Sequence, residues 1–132
     1  MKSGMTVTIL GSGTCVPSLK RSSCSVLLQI DRAKLLFDSG PGTMRRLLEA
    51  DTTIFDLNYI FYSHFHPDHT GEFVPFIFAT KYPDGSRRKT PLTVGGGRGF
   101  LDFYQKLKTA YGSWIELAPE LLNTIEFNNR KS

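Results

Sequence analysis

Cysteine, tryptophan and histidine are scarce in this 132-residue chain, which contains two, one and three of them respectively. Two cysteines cannot build a disulfide framework, and Cys15 and Cys24 lack the second pair that a zinc finger needs. Long hydrophobic runs are also absent, and Lys2 and Thr6 interrupt the segment that a secretory signal would keep apolar. The composition therefore predicts a soluble, cytoplasmic protein with no membrane partner.

Neither sign of charge dominates, since 16 Lys and Arg face 12 Asp and Glu, for a net charge of +4. This mild excess suits an anionic small molecule or RNA without identifying either. The densest basic run, Arg87-Arg88-Lys89, follows a turn-forming Pro-Asp-Gly, so we expect a solvated loop, with a phosphate or RNA backbone contact as the alternative. The glycine-rich stretches 11–13 and 95–99 lack the other residues of the dinucleotide and phosphate-loop motifs, which argues against nucleotide binding.

All three histidines lie within residues 64–69, which read His-Phe-His-Pro-Asp-His. Imidazole and carboxylate groups are preferred ligands of zinc and similar divalent metals. In an extended backbone His64 and His66 point the same way and can bind one ion. The proline that follows favours a turn, after which Asp68 and His69 can face a second ion. The spacing therefore predicts a two-metal site.

The stretch before the histidines, residues 57–62, is apolar, aromatic and β-branched, which predicts a buried strand. The candidate ligands then follow the carboxyl end of that strand, where open α/β sheets commonly bind substrates. The helical zinc-protease pattern is excluded, because no His-Glu-x-x-His occurs. Periodicity and turn residues predict further strands at 6–10, 25–30, 34–37, 92–94 and 122–127, and helices at 43–50, 73–82 and 100–111.

The pattern His64-x-His66-x-Asp68-His69 after a hydrophobic strand resembles the metal-binding signature of the metallo-β-lactamase superfamily. Residues 9–18 resemble the opening strand and glycine turn of its ribonuclease Z and phosphodiesterase-like branch. Residues 36–43, Leu-Phe-Asp-Ser-Gly-Pro-Gly-Thr, resemble the Asp-x-Gly-x-Gly-Thr turn of the same branch.

The resemblance implies an α/β (α+β) architecture, the αββα sandwich of that superfamily. Its members complete the site with further histidines and a bridging aspartate downstream, whereas no histidine follows His69 here. We therefore expect residues 1–132 to be the amino-terminal portion of a single metallo-β-lactamase-like domain, its αβ half, with a complete but degenerate protein as the alternative. A half-sandwich leaves one sheet face bare, which predicts a partner: the missing carboxyl-terminal half or a second copy in a homo-oligomer.

The function expected from the site and the resemblance is hydrolysis that depends on two divalent metal ions. We expect Zn²⁺, with Mn²⁺ or Fe as alternatives, and a metal-bridged hydroxide as the attacking group. Asp68 is the candidate catalytic proton acceptor, since a carboxylate beside the bridging water can take its proton. The resemblance implies that Asp38 orients the metal ligands through hydrogen bonds, and capping of the turn at 39–40 is the alternative.

The expected substrate is a phosphodiester such as the 3′ trailer of precursor tRNA. An arylsulfatase, a lactonase, a thioesterase or a cyclic-nucleotide hydrolase of the same superfamily is the alternative enzyme. A non-catalytic binding or assembly module that retains a partial metal site is the alternative outside enzymes. Because this chain carries only part of the expected ligand set, we expect it to be inactive on its own.

Overall fold

The computed structural model describes residues 4–14, 16–81 and 88–128, which form a six-stranded sheet and four α-helices. The strands are β1 (Met5–Gly11), β2 (Ser25–Ile30), β3 (Ala33–Phe37), β4 (Tyr59–Tyr62), β5 (Leu92–Gly96) and β6 (Leu122–Glu126). The helices are α1 (Thr43–Glu49), α2 (Pro67–Thr70), α3 (Phe73–Lys81) and α4 (Phe100–Tyr111), with 3₁₀ turns at Ile54–Asp56 and Gly112–Ile115. Cys15, Tyr82 and Arg87 lie outside the described residues.

The strands follow one another across the sheet in chain order. The first three pair antiparallel, and the turn at Asp31, whose φ is +52°, joins β2 to β3. From β3 to β6 the pairing is parallel, with helical connections between the strands. Parallel pairing sends the carboxyl ends of four strands to one edge of the sheet, which is where the histidine segment emerges.

One face of the sheet carries the core. Leu27, Leu36, Ile60 and Val94 occupy equivalent positions on four neighbouring strands, and each is fully buried. They belong to one cluster with buried side chains of the helices, including Leu47, Phe73, Phe76, Ile77, Phe100 and Tyr104. Full burial of one such side chain contributes roughly 1.5–3 kcal/mol, so this layer holds the helices on the sheet.

The opposite face of the sheet is apolar and partly exposed. On β1 the side chains of Met5, Val7 and Ile9 are 67%, 59% and 69% exposed. Phe61 packs against Phe37 in the middle of this face, with ring centroids 5.9 Å apart. A continuous apolar face of this kind marks a surface for a further layer of structure. In the described ranges, no helix has the length and apolar character needed to cross a membrane.

The local differences from the predicted elements have physical causes. Strand β4 starts at Tyr59 rather than at residue 57, because Asn58 donates its N–H to the Lys34 carbonyl (2.9 Å) and accepts the Lys34 N–H on Oδ1 (2.8 Å). The turn expected at Pro67 is the one-turn helix α2, with the proline at its first position. Proline suits that position because the N–H it lacks would have no helical partner there.

Arg88 corrects a prediction, because it belongs neither to a solvated loop nor to an RNA-contacting surface. Its side chain is 4% exposed and donates from Nη1 to the carbonyls of Leu57 (2.9 Å) and Thr90 (3.2 Å), and from Nη2 to that of Ile54. Burial lowers the pKa of Arg88 to about 10 against an opposing effect of Asp56, so the guanidinium stays charged at neutral pH. Three carbonyls in this region need donors, and the buried cation supplies them.

We expect Arg88→Ala to lower the free energy of unfolding by about 2–4 kcal/mol, because it leaves buried carbonyls without hydrogen-bond donors. The neighbouring Lys89 is exposed, so Lys89→Ala is the matched control and should change stability by less than about 0.5 kcal/mol. Urea unfolding followed by circular dichroism measures both. Equal midpoints for Arg88→Ala and the unmodified protein, together with weaker RNA binding, would restore the RNA-contact interpretation.

Candidate metal centre

The centre lies where β3 and β4 end side by side. The parallel register pairs Phe37 with Phe61, so the residues that follow these two strands are neighbours in space. Asp38 comes directly after β3, and Ser63 and His64 come directly after β4. The sheet topology therefore brings a carboxylate to the first histidine from 26 residues earlier in the sequence.

Asp38 adopts a left-handed backbone conformation with φ of +64°. Aspartate is one of the few residues besides glycine that tolerate this region. Two hydrogen bonds hold the conformation: the Asp38 N–H donates to the Phe61 carbonyl (2.8 Å), and the Ser25 hydroxyl donates to the Asp38 carbonyl (3.0 Å). A strained backbone conformation that its neighbours hold in place is typical of functional sites.

The Asp38 carboxylate accepts three hydrogen bonds from the histidine segment. Oδ1 accepts from the Ser63 N–H (2.8 Å), and Oδ2 accepts from the Ser63 hydroxyl (2.8 Å) and from Nδ1 of His69 (2.9 Å). The N–H groups of Ser39 and Gly40 donate instead to the carbonyls of His69 and Cys24. The carboxylate thus contacts a candidate ligand and does not cap the turn at 39–40.

The three imidazoles form one cluster. The ring centroid of His64 lies 3.7 Å from that of His69 and 4.7 Å from that of His66. Ligand atoms of His64, Asp68 and His69 lie within 4.8 Å of one another, and His69 Nε2 is 3.5 Å from Asp68 Oδ2. His66 is beside His64 but outside this group of three. The geometry thus gathers His64 with Asp68 and His69, whereas the spacing predicts His64 with His66. The assignment of ligands to two ions stays a prediction.

Helix α2 explains how the segment folds back on itself. His66 is extended, with φ −63° and ψ 147°, and its carbonyl accepts the N–H groups of His69 (2.9 Å) and Thr70 (3.1 Å). This single helical turn returns Asp68 and His69 toward His64. The alternation expected for an extended strand therefore stops at His66, and helical geometry takes over from Pro67.

The β3–α1 turn packs directly against residues 64–72, which are called the ligand segment below because they contain the candidate metal ligands. The Ser39 N–H donates to the His69 carbonyl (2.7 Å), and the Glu72 N–H donates to the Ser39 carbonyl (2.9 Å). A Cβ on Gly40 would lie 2.1 Å from the carbonyl oxygen of Asp68, which no side chain can tolerate. Glycine is therefore required where the turn and the ligand segment touch.

Two residues that make contacts at the centre were not predicted from the sequence. Ser63 contacts Asp38 and also lies 3.1 Å from Nδ1 of His64. Glu72 accepts the N–H groups of Gly42 and Met44, both at 2.7 Å, and so joins the end of the ligand segment to the start of α1. A hydroxyl residue directly before the first histidine was the available sequence signal for Ser63, whereas the Glu72 contacts depend entirely on the tertiary fold.

Tyr62 lies beneath the centre and is not a candidate base. Its hydroxyl is 2.5 Å from that of Ser39, and the side chain is buried. Burial raises the pKa of Tyr62 far above its ordinary value, an effect that outweighs the opposing effect of the hydrogen bond with Ser39. The phenol therefore stays protonated and supports the Ser39 turn.

A groove of about 890 Å³ borders the cluster and runs between α3 and α4. Phe65 and Pro67 of the histidine segment form part of its wall, and Phe103 and Trp114 line it further along. Among the residues that the structure describes, none that lines the groove is charged. The ligand segment thus has its donor groups on one side and an apolar wall on the other.

The sheet and the cluster together define a class: mixed α/β proteins with a candidate metal centre at the carboxyl edge of parallel strands. Within that class the chain belongs to the metallo-beta-lactamase superfamily, whose sequence profile matches residues 20–123. This confirms the predicted family and its α/β fold. The superfamily binds metal ions, in agreement with the possible His/Asp site.

Curated relatives with similar sequences include ribonucleases. Ribonuclease Z of Methanosarcina mazei is 35% identical over 102 residues, which cover 77% of this chain and 32% of that protein. Ribonuclease Z of Methanopyrus kandleri is 34% identical over 98 residues, which cover 74% of this chain and 35% of that protein. The chain therefore spans about a third of the length of these relatives.

Solved structures agree on the fold. The metallo-beta-lactamase fold protein YhfI from Bacillus subtilis superposes with a TM-score of 0.72 at 25% identity, covering 96% of this chain and 46% of that one. The short form of human tRNase Z superposes with a TM-score of 0.69 at 23% identity, covering 92% of this chain and 44% of that one. The architecture is thus shared along nearly the whole of the present chain.

Proposed function

We propose that this chain is the amino-terminal portion of a metal-dependent hydrolase that cleaves phosphodiester bonds in RNA. The observation that carries the proposal is the convergence of His64, Asp68 and His69, with Asp38 behind His69. Two imidazoles and a carboxylate are the donor types of catalytic divalent-metal sites, which keep a position open for water or substrate.

The residues present fit a divalent cation. An ionised Asp38 can only accept, so a neutral His69 holds its proton on Nδ1 and presents a lone pair on Nε2. That lone pair lies 3.5 Å from an oxygen of Asp68, so two electron-pair donors face each other with no proton between them. A cation bound at this position would satisfy both.

The proposed roles follow from these contacts. His64, His66, Asp68 and His69 would hold the metal ions, of which Zn²⁺ is the first candidate, and Asp38 would orient His69. Bound divalent metals lower the pKa of coordinated water and polarise a phosphoryl oxygen. Asp68 would serve as the proton acceptor for an attacking water molecule.

RNA is the proposed substrate because the similar curated proteins are named ribonuclease Z. The net charge of +4 agrees with a polyanionic substrate. Cytoplasmic location belongs to the same proposal. The exposed apolar face of the sheet, with Val7 and Ile9 on it, would be covered by a carboxyl-terminal half, or by a second copy of the chain in a homo-oligomer.

The test uses the full-length product of the gene that encodes this chain, with Zn²⁺, Mn²⁺ or Fe²⁺ added. We expect metal-dependent release of the 3′ trailer from a precursor tRNA and turnover of bis(p-nitrophenyl) phosphate. The isolated 132-residue chain is the control, and we expect no turnover from it. Preferred hydrolysis of p-nitrophenyl sulfate, a lactone or a thioester would replace the RNA assignment. Metal binding without any hydrolysis would favour a binding module.

A further inference from the structure

The hydroxyl of Ser63 lies between the Asp38 carboxylate and the first histidine. It is 2.8 Å from Asp38 Oδ2 and 3.1 Å from His64 Nδ1. An ionised carboxylate accepts only, so the single hydroxyl proton of Ser63 points at Asp38. The Ser63 oxygen must then accept from His64, which places the proton of a neutral His64 on Nδ1.

His69 reaches the same state without an intermediary, because its Nδ1 donates directly to Asp38 Oδ2. A single buried carboxylate thus determines the tautomers of two imidazoles, one directly and one through a hydroxyl. In both rings the proton on Nδ1 leaves Nε2 as the free electron-pair donor.

We propose that Ser63 is a positioning residue that holds His64 in the tautomer whose Nε2 can bind a cation. The inference rests on the proposed function only in that cation binding gives the tautomer a use. The hydrogen-bond relay itself is a property of the chain without metal. Partners that orient ligand imidazoles in this way typically alter metal affinity by 10- to 100-fold when they are removed.

Ser63 donates two hydrogen bonds to Asp38, one from its backbone and one from its side chain, and a substitution can remove the second alone. Its N–H donates to Asp38 Oδ1 at 2.8 Å, and this bond does not depend on the side chain. Ser63→Ala therefore removes the relay while it retains the backbone bond that joins the end of β4 to Asp38. Ser63→Thr retains the hydroxyl and is the conservative variant expected to restore the unmodified behaviour.

The experiment records the NMR chemical shifts of the imidazole ring nitrogens in the 132-residue chain, prepared with ¹⁵N-labelled histidine. The pH is one at which the imidazoles are neutral. All three histidines of the chain belong to the cluster, so the spectrum contains only the rings of interest. We expect His64 and His69 in the Nδ1–H form in the unmodified chain. In Ser63→Ala we expect His64 to shift toward the Nε2–H form while His69 is unchanged. Zinc affinity, measured by competition with a chromophoric chelator, should fall about tenfold.

A merely structural role would disturb His69 together with His64, and Ser63→Thr would not restore either ring. The inference is overturned if His64 carries its proton on Nε2 in the unmodified chain, or keeps it on Nδ1 in Ser63→Ala. Failure of the proposed hydrolysis would appear in the turnover assay and leave the tautomer result standing. Hydrolysis with unchanged tautomers in Ser63→Ala would overturn the role of Ser63 alone.

Discussion

Asp68→Asn should lower kcat of the full-length gene product on a phosphodiester by at least about 100-fold, the usual cost of losing a general base. The substitution keeps the shape of the side chain and removes its charge, so both proposed roles, cation binding and proton acceptance, are lost together. Asp68 is suited to this test because its carboxylate faces the candidate ligand atom Nε2 of His69, 3.5 Å away. Steady-state kinetics with bis(p-nitrophenyl) phosphate measures the effect.

The fold should survive this substitution, since the Asp68 side chain is one-third exposed and outside the core cluster. Far-ultraviolet circular dichroism checks that point. Asp102→Asn is the matched control, because Asp102 is an exposed carboxylate on α4 that pairs with Lys106 at 2.9 Å. We expect unchanged turnover for this control. If Asp68→Asn retains more than a tenth of the activity, Asp68 is not the proton acceptor.

Gly40→Ala should both destabilise the protein and disrupt the centre. The new Cβ would meet the Asp68 carbonyl oxygen at 2.1 Å and Cβ of Ser23 at 2.5 Å. A backbone carbonyl cannot rotate away as a long side chain can, so either the β3–α1 turn or α2 must move. Overpacking of this kind costs about 1–3 kcal/mol, and we expect the upper end because the contact is with backbone.

Movement of α2 also displaces Asp68 and His69 relative to His64, so zinc affinity should fall together with stability. Urea unfolding and chelator competition on the same preparation measure the two effects. Gly97→Ala provides the control, since a Cβ there has no heavy atom within 4 Å and the residue lacks a positive φ. A Gly40→Ala variant with unchanged stability and affinity would contradict the packing of the turn against the ligand segment.

Strands and helices were largely predictable because their signals are local. The strand 25–30 and the helix 100–111 have the bounds that alternation and helical spacing predict, and Gly112 ends that helix with φ of +67°. The short helix α2 and the 3₁₀ turn at Ile54–Asp56 were not predicted. Elements of three or four residues show too little periodicity to be recognised, and tertiary contacts determine whether they form.

The charged residues show where sequence patterns stop being informative. Arg88 belongs to a polar basic run, yet the fold buries it against the carbonyls of Ile54 and Leu57. Its environment comes from a segment more than 30 residues away. A charge run predicts solvent exposure on average, but a group of unsatisfied carbonyls elsewhere in the chain can reverse that outcome.

By itself the sequence determined which side chains are candidates to carry the chemistry, because the candidate donors His64, His66, Asp68 and His69 lie within six residues and their identities do not depend on the fold. It also determined the family, since the motif and the two glycine turns are local patterns. Only the tertiary structure decided how the donors are arranged. The parallel pairing of β3 with β4 brings Asp38 and Ser63 to the imidazoles, and the turn at Gly40 packs directly against α2. This arrangement depends on hydrogen bonds that Asp38 accepts from Ser63, 25 positions later, and from His69, 31 positions later. No local spacing in the sequence encodes them.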